Sequence, residues 1–213
     1  MASYASTYIP ALSFRWLTPL YDPLIRRGMR EDALKSRLIR AAHIQPGQAV
    51  LDLGCGTGTL ALMIKKAEPR AKITGLDGDA AILAIARDKA ARAGLAIDWD
   101  EGMAYDLPYP DHSFDVIVSS LVIHHLTTRD KLRTFREVRR VLRPKGAFHI
   151  LDLGRPFNLL THVQSALMKH LEHADDNLQG LLPEMMRGAG FQQVSEGHPT
   201  STAFGPIWIY AAA

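Results

Sequence analysis

The stretch VLDLGCGTGTL, residues 50–60, decides the reading of this chain. A short apolar run over residues 49–53 predicts a buried strand that ends in three alternating glycines, Gly54, Gly56 and Gly58. Residues 60–67 then carry apolar side chains at helical spacing, with Pro69 just beyond them. Glycine allows a tight turn at positive φ and lets a ligand approach the backbone. The start of the following helix offers unpaired N–H groups and a partial positive charge. A dinucleotide-binding loop would read G-x-G-x-x-G and place its third glycine at position 59, which is Thr59 here. Asp52, just ahead of the first glycine, would repel a pyrophosphate. It suits a ligand with a positive amino group.

Working outward, residues 72–77 (KITGLD) predict a second strand ending at Asp77, where a carboxylate can accept both hydroxyls of a ribose. Residues 80–93 predict an alanine-rich helix stopped by Gly94. Residues 95–99 predict a third strand and residues 114–119 (FDVIVS) a fourth, after the Pro108-Tyr-Pro-Asp turn. Leu132, Phe135, Val138 and Leu142 make a helical stripe through 130–142, and Pro144-Lys-Gly ends it. Residues 147–153 (AFHILDL) predict a fifth strand, 159–171 and 181–189 two more helices, Gly190-Phe191 the opening of a sixth strand, and 205–210 the last.

This alternation predicts an α/β fold, a mostly parallel sheet with helices on both faces. The link 198–204 has no helical pattern and cannot make a right-handed parallel crossover, so the last pair is expected to be antiparallel. The first 45 residues are aromatic-rich and punctuated by Pro10, Pro19 and Pro23. They read as a helical cap over the carboxyl edge of the sheet, on a core of residues 46–213. No repeat or linker divides the 213 residues, so a single domain is expected.

Composition narrows the class further. Hydrophobic residues make up 47% and charged residues 22%, an ordinary globular balance. The single cysteine, Cys55, excludes an intramolecular disulfide framework and a cysteine-cluster zinc site, and fits a reducing compartment. With 25 basic against 22 acidic side chains the net charge is +3, scattered rather than clustered as a nucleic-acid footprint requires. No apolar run approaches the ~18–20 residues that span a bilayer. The N-terminus has no basic leader, and Arg15 interrupts its apolar stretch. The expectation is a cytoplasmic protein with no integral membrane segment and no nucleic-acid partner.

Four blocks resemble the class I S-adenosylmethionine (SAM)-dependent methyltransferases, within them the ubiquinone/menaquinone-methyltransferase-like group: VLDLGCGTG at 50–58, GLDGD at 75–79, LPYPDHSFDVIVSSLVIHHL at 107–126 and REVRRVLRPKGAFHILD at 136–152. The resemblance implies a Rossmann-like, seven-stranded sheet with the last strand reversed, and SAM as cofactor. It implies that Asp52, Gly54 and Gly56, with Cys55 between them, hold the methionine moiety, that Asp77 takes the ribose hydroxyls, and that Gly78 and Asp79 lie beside the adenosine. Ser119 would line the methionine end. One block departs from the family. Where the family often has Gly-Asp-Ala this chain has Gly102-Met103-Ala104. Met103 can pack on adenine through its thioether but cannot accept a hydrogen bond as a carboxylate does. Asp106 or a backbone carbonyl is left to substitute.

The implied activity is methyl transfer to a small apolar or aromatic acceptor. A nicotinamide-dependent oxidoreductase and a non-catalytic SAM-binding module are the alternatives. A hydroxyl acceptor needs a base, and His124 or His125, after the fourth strand, could be it; otherwise they cap that strand. Tyr4, Tyr8, Phe14, Trp16 and Tyr21 could wall the acceptor or pack the cap on the sheet, and Tyr21-Asp22 resembles a pair common in the same group. His162, His170 and His173 read as a solvated helix face rather than a metal site, and Arg136, Arg139, Arg140 and Arg143 as another solvated face. After the fourth strand the chain reads Ser119-Ser-Leu-Val, without the Asn/Asp-Pro-Pro-Tyr motif of enzymes that methylate nucleic-acid amines.

Overall fold

The structure, a computed structural model, describes residues 31–168, 173–203 and 205–213. The five N-terminal aromatics, Asp22 and His170 lie outside the described residues. In chain order the elements are α1 (Glu31–Ala42), β1 (Ala49–Leu53), α2 (Thr59–Ala67), β2 (Lys72–Asp77), α3 (Ala80–Arg92), β3 (Asp98–Glu101) and β4 (Phe114–Ser120). A single 3-10 turn, Ile123–His125, leads to α4 (Thr128–Val141), β5 (Leu142–Leu153), α5 (Leu159–Met168), α6 (Asp175–Leu178), α7 (Leu182–Gly188), β6 (Val194–Glu196), β7 (Thr200–Thr202) and β8 (Gly205–Ala212).

The sheet runs β3-β2-β1-β4-β5-β8-β6, with β7 also paired to β8. The pairs from β3 to β5 are parallel, and β8 enters antiparallel against β5, with Leu151 opposite Ile209. The eighth strand has a local cause. β6 and β7 follow one another along the same edge of β8, Glu196 opposite Tyr210 and Thr200 opposite Ile207. Pro199 has no N–H to give the ladder. The expected sixth strand is therefore one strand in two pieces, and the sheet keeps seven positions.

The strand pleat sends alternate side chains to two cores. Leu51, Leu53, Ile117, Phe148, Ile150 and Tyr210 face α4 and α7, which contribute Phe135, Val138, Leu182 and Met186. Val50, Val116, Val118, Leu151 and Ile207 face α1, α2 and α6, which contribute Leu34, Leu38, Leu60, Ile64 and Leu178. Within the segment expected to cap the carboxyl edge, the described helix α1 thus lies on a face of the sheet. Its Leu34 and Leu38 need an apolar partner surface, which the face supplies.

Two local differences have physical causes. β3 begins three residues later than expected and reads Asp-Trp-Asp-Glu. It is an edge strand, where charged side chains are favoured over an apolar run. The Pro144-Lys-Gly stretch falls inside β5 as an irregularity: Leu142 opposes Phe114, then Ala147 opposes Val116. Lys145 there takes φ 69.

Arg140 of α4 corrects the expectation of a solvated face. Arg140 donates to the carbonyls of Tyr109 (2.7 Å) and Leu107 (3.1 Å), to Asp111 (2.9 Å) and to Glu137 (2.7 and 2.9 Å). Glu137 in turn accepts the Leu107 N–H at 3.0 Å. The 107–111 turn is thereby pinned to α4. Arg143, in β5, donates to the His112 carbonyl and to Asp115 but is exposed, as Arg136 and Arg139 are. Arg140→Leu is expected to lower stability by ~1–3 kcal/mol, the loss of a partner for each freed carbonyl. Arg140→Lys should recover little, because three donors on one nitrogen cannot reproduce the five bonds that the planar guanidinium spreads over four residues. An unchanged melting temperature for Arg140→Leu would contradict the pin.

Candidate cofactor and acceptor site

β1 and β4 are central and adjacent, so the loops at their carboxyl ends meet. In the β1 loop Gly54, Gly56 and Gly58 take φ of 69, 53 and 76, the left-handed region where side chains are strained. The N–H groups of Gly54 and Cys55 both donate to the Leu76 carbonyl, at 2.8 and 2.9 Å. A methyl added at Gly54 would stand 2.5 Å from Val122, and one at Gly58 would stand 2.5 Å from the Trp99 ring. Trp99 also lies against Gly75. Its indole is a buttress that the sequence reading missed. The signal was a bulky aromatic in β3 opposite a glycine in β2.

Asp77 ends β2 beside this loop. Its Oδ2 accepts the Gly56 N–H at 2.8 Å and its Oδ1 the Asp79 N–H at 3.1 Å. Burial pushes its carboxyl up from the usual range, and the two N–H donors oppose that. Gly78 follows it. The carboxylate of Asp79 caps α3, accepting from Ala81 at 2.8 Å and Ile82 at 3.4 Å. Its group is thus engaged by the helix. Gly102 donates to the Asp77 carbonyl at 3.0 Å, which brings the Met103–Ala104 turn alongside; Met103 and Asp106 close that turn by a 3.0 Å backbone bond.

Asp52 is 1% exposed at the end of β1, and its Oδ2 has no hydrogen-bond partner among the described residues. Burial pushes its carboxyl up to about 7, opposed by the nearby Lys35 ammonium and the Ala61 N–H. Lys35, on α1, is itself buried and ion-paired to Glu31. Burial, with Asp52 and Asp77 nearby, pushes the Cys55 thiol up too. That makes it a poor nucleophile. Ser119 is fully enclosed, and its hydroxyl donates to the Leu53 carbonyl at 2.9 Å. It braces the ends of β4 and β1.

Beyond β4 the chain bends at Leu121, whose φ of 61 is strained for a side chain of this size. The 3-10 turn follows. His124 is 7% exposed and its Nδ1 stands 2.6 Å from Asp152 Oδ1. His125 is half-buried, its ring 4.0 Å from that of His124. The structure therefore distinguishes two histidines that the sequence could not. Asp152 itself was missed. Its signal was a carboxylate inside the otherwise apolar HILDL run. Among the described residues no group of three His, Cys, Asp or Glu could hold a metal ion, and no helix is long and apolar enough to cross a membrane.

Comparison with known proteins agrees with this geometry. Residues 50–146 match the family model described as "Methyltransferase domain". The chain is 33% identical over 153 residues to a 2-phytyl-1,4-naphtoquinone methyltransferase of Synechococcus elongatus, covering 69% of this chain and 64% of that protein. It is 34% identical over 146 residues to a demethylmenaquinone methyltransferase of Thermus thermophilus, covering 67% and 65%. The chain thus spans a little under two thirds of the length of these curated relatives. A SAM-dependent methyltransferase from Aquifex aeolicus shares the fold, with a TM-score of 0.68 at 18% identity over 92% of this chain and 96% of that one. On this agreement of loop, strand order and relatives, the chain is similar to the class I SAM-dependent methyltransferases, and within them to the ubiquinone/menaquinone-methyltransferase-like group.

Proposed function

We propose that the protein transfers a methyl group from SAM to a small, apolar, aromatic acceptor of the quinol class. The observation that carries the reading is the pair of carboxylates across the glycine loop: Asp52, buried with one orphaned oxygen, and Asp77, fixed by loop amides. A buried carboxylate oxygen without a partner is costly unless a ligand supplies a donor. The ammonium of a methionine moiety is such a donor, so the residues present fit the family's cofactor. The two relatives, a 2-phytyl-1,4-naphtoquinone methyltransferase and a demethylmenaquinone methyltransferase, support the acceptor class.

SAM supplies an electrophilic methyl carbon on a sulfonium. The chain's own work is alignment, which can lower a barrier by ~7–11 kcal/mol in favourable cases. In this reading Asp52 holds the ammonium, Asp77 accepts the ribose hydroxyls, and Gly54 and Gly56 let the backbone close on the ligand. Met103 and Ala104 lie against the adenine, with Gly78, Asp79 and Cys55 completing the wall. His124 or His125 takes the acceptor's proton. The scattered charge and the Ser119-Ser-Leu-Val sequence argue against a nucleic-acid substrate, and the lone Cys55 suits a reducing, cytoplasmic setting.

Titration calorimetry with SAM and S-adenosylhomocysteine tests the reading, and absence of binding at millimolar ligand would defeat it. Asp77→Ala is expected to weaken binding by ~1–3 kcal/mol through lost hydroxyl partners. A nicotinamide enzyme would instead enhance NADH fluorescence, undisturbed by SAM. The position of Thr59 and the quinone-methyltransferase relatives speak against that outcome.

A further inference from the structure

α5 is turned the opposite way from an ordinary surface helix. Such a helix buries its apolar stripe and shows its polar one to water. Here Thr161 is fully buried, Ser165 is buried and Gln164 is half-buried, whereas Leu159, Leu160 and Val163 are 82%, 59% and 64% exposed. Phe157, just ahead of the helix, is exposed too. Among the described residues these four are all but one of the exposed large apolar side chains, the other being Ile85 on α3. Apolar side chains scattered singly over a surface are ordinary, but a cluster of them marks a contact surface.

Polar contacts fix this orientation, so it is no slip of register. The side chains of Asn158 and Thr161 accept each other's backbone N–H groups, at 2.9 and 3.0 Å, and the Phe157 N–H also donates to the Thr161 hydroxyl. The Gln164 amide donates to the Thr202 carbonyl at 3.0 Å. Bonds of this kind set direction but add little net stability. The inner face even leaves the Ser165 hydroxyl and the Gln164 side-chain carbonyl without a partner among the described residues. The apolar gain open to α5 therefore lies on its outside.

The chain itself supplies a matching cover. Residues 1–30 lie outside the described residues and lead into α1 at Glu31. A short loop joins α1 to β1, so α1 runs against the direction of β1 and begins at the carboxyl edge of the sheet; its Leu34 belongs to the cluster that holds Leu153, the last residue of β5. α5 begins at the same edge, shortly after β5 ends. Both helices are tied to β7, α1 by Arg37 on Thr200 and α5 by Gln164 on Thr202. Residues 1–25 carry five aromatics, Tyr4, Tyr8, Phe14, Trp16 and Tyr21, against two charged side chains, Arg15 and Asp22. That segment and the outer face of α5 both gain by leaving water together. Other occupants match less well. α5 itself carries no Lys or Arg to flank its apolar face, as helices that lie on a bilayer do. Four side chains also supply only a fraction of the ~1,200–2,000 Å² that a stable interface between two proteins buries.

We propose that residues 1–25 dock their aromatic side chains on the outer face of α5, with Leu159, Leu160 and Val163 as the seat, and so close the carboxyl edge of the sheet. The docking stands apart from the methyl-transfer reading, because it rests on apolar surface alone.

Photo-crosslinking of the full chain tests it, with p-benzoylphenylalanine in place of Leu160. Illumination is expected to join that position to a peptide within residues 1–25, in a product with the mass of one chain. A product of twice that mass would make a second copy the occupant. A phosphatidylglycerol adduct that replaces the internal product, once vesicles of that lipid are added, would make it a bilayer surface. Either result, or the absence of any product with residues 1–25, would overturn the proposal. Amide hydrogen exchange gives a second measurement. The doubly substituted chain Leu160→Lys, Val163→Lys should exchange roughly tenfold faster or more across residues 1–25, as an apolar seat is lost, while β4 and β5 keep their wild-type protection. Equal exchange across residues 1–25 in the two chains would also overturn it. Failure of the wild-type protein to bind SAM would strike the methyltransferase reading and leave the docking untouched.

Discussion

Asp52→Asn is expected to make the free protein more stable and, in the same molecule, to weaken SAM binding about 100-fold, the ~3 kcal/mol of a lost buried charge-assisted bond. The first effect follows from burial. Asp52 titrates near 7 in the folded chain rather than near 3.8. A raised acid binds protons in the folded state that the unfolded state has already released. Folding stability is therefore lost as pH rises from about 4 to about 7, by an amount on the order of 4 kcal/mol at 1.36 kcal/mol per unit. Asparagine carries no charge into that site, though it too leaves a polar atom without a partner, so a gain of ~1–3 kcal/mol is expected near pH 8. The second effect has the same origin with opposite sign. A cationic ligand favours the ionised carboxylate, so wild-type affinity should climb with pH through about 7, and binding below that pH should release a proton. Calorimetry in buffers of differing ionisation heat measures both. An affinity that is flat with pH, or an Asp52→Asn variant that binds like wild type, would sink the assignment.

Gly58→Ala carries the next largest effect. At φ 76 an alanine is strained by ~1–2 kcal/mol. The added methyl would stand 2.5 Å from the far edge of the Trp99 ring and 3.0 Å from Ala86. Overpacking of this kind typically costs ~1–3 kcal/mol. The sum predicts a loss of ~2–5 kcal/mol by denaturant titration. The two parts separate in a double mutant. Trp99→Phe withdraws the benzo edge and should recover the steric part alone, leaving the backbone strain, so the pair is expected to be strongly non-additive. Strict additivity would show that Trp99 does not buttress the loop.

The glycine loop and Asp77 were legible because their signal is local: a strand, three glycines and a carboxylate at the end of the next strand. The reversed last strand was legible because a link without a helix leaves little choice of topology. Asp152 was opaque because its partners in the turn after β4 lie 28 to 30 residues away, and nothing in HILDL says which loop it meets. His124 and His125 are adjacent, so only the conformation of the turn could assign one to the carboxylate. Ser119 was placed at the pocket by resemblance, and only the register of β4 with β1 reveals that its hydroxyl faces the Leu53 carbonyl. Arg140 misled because an arginine on a charged helix face looks solvated until the 107–111 turn is seen folded beneath it.

Asp77 has one consequence for the energetics of ligand capture. A carboxylate offers about four lone-pair positions. Two are already filled by loop amides, one on each oxygen. Among the described residues each oxygen thus keeps a vacant acceptor direction, and in the proposed reading the main chain that would cradle the sugar is already hydrogen-bonded in place before any sugar arrives. The ordering entropy of the cradle is settled when the chain folds, so little of it weighs against association.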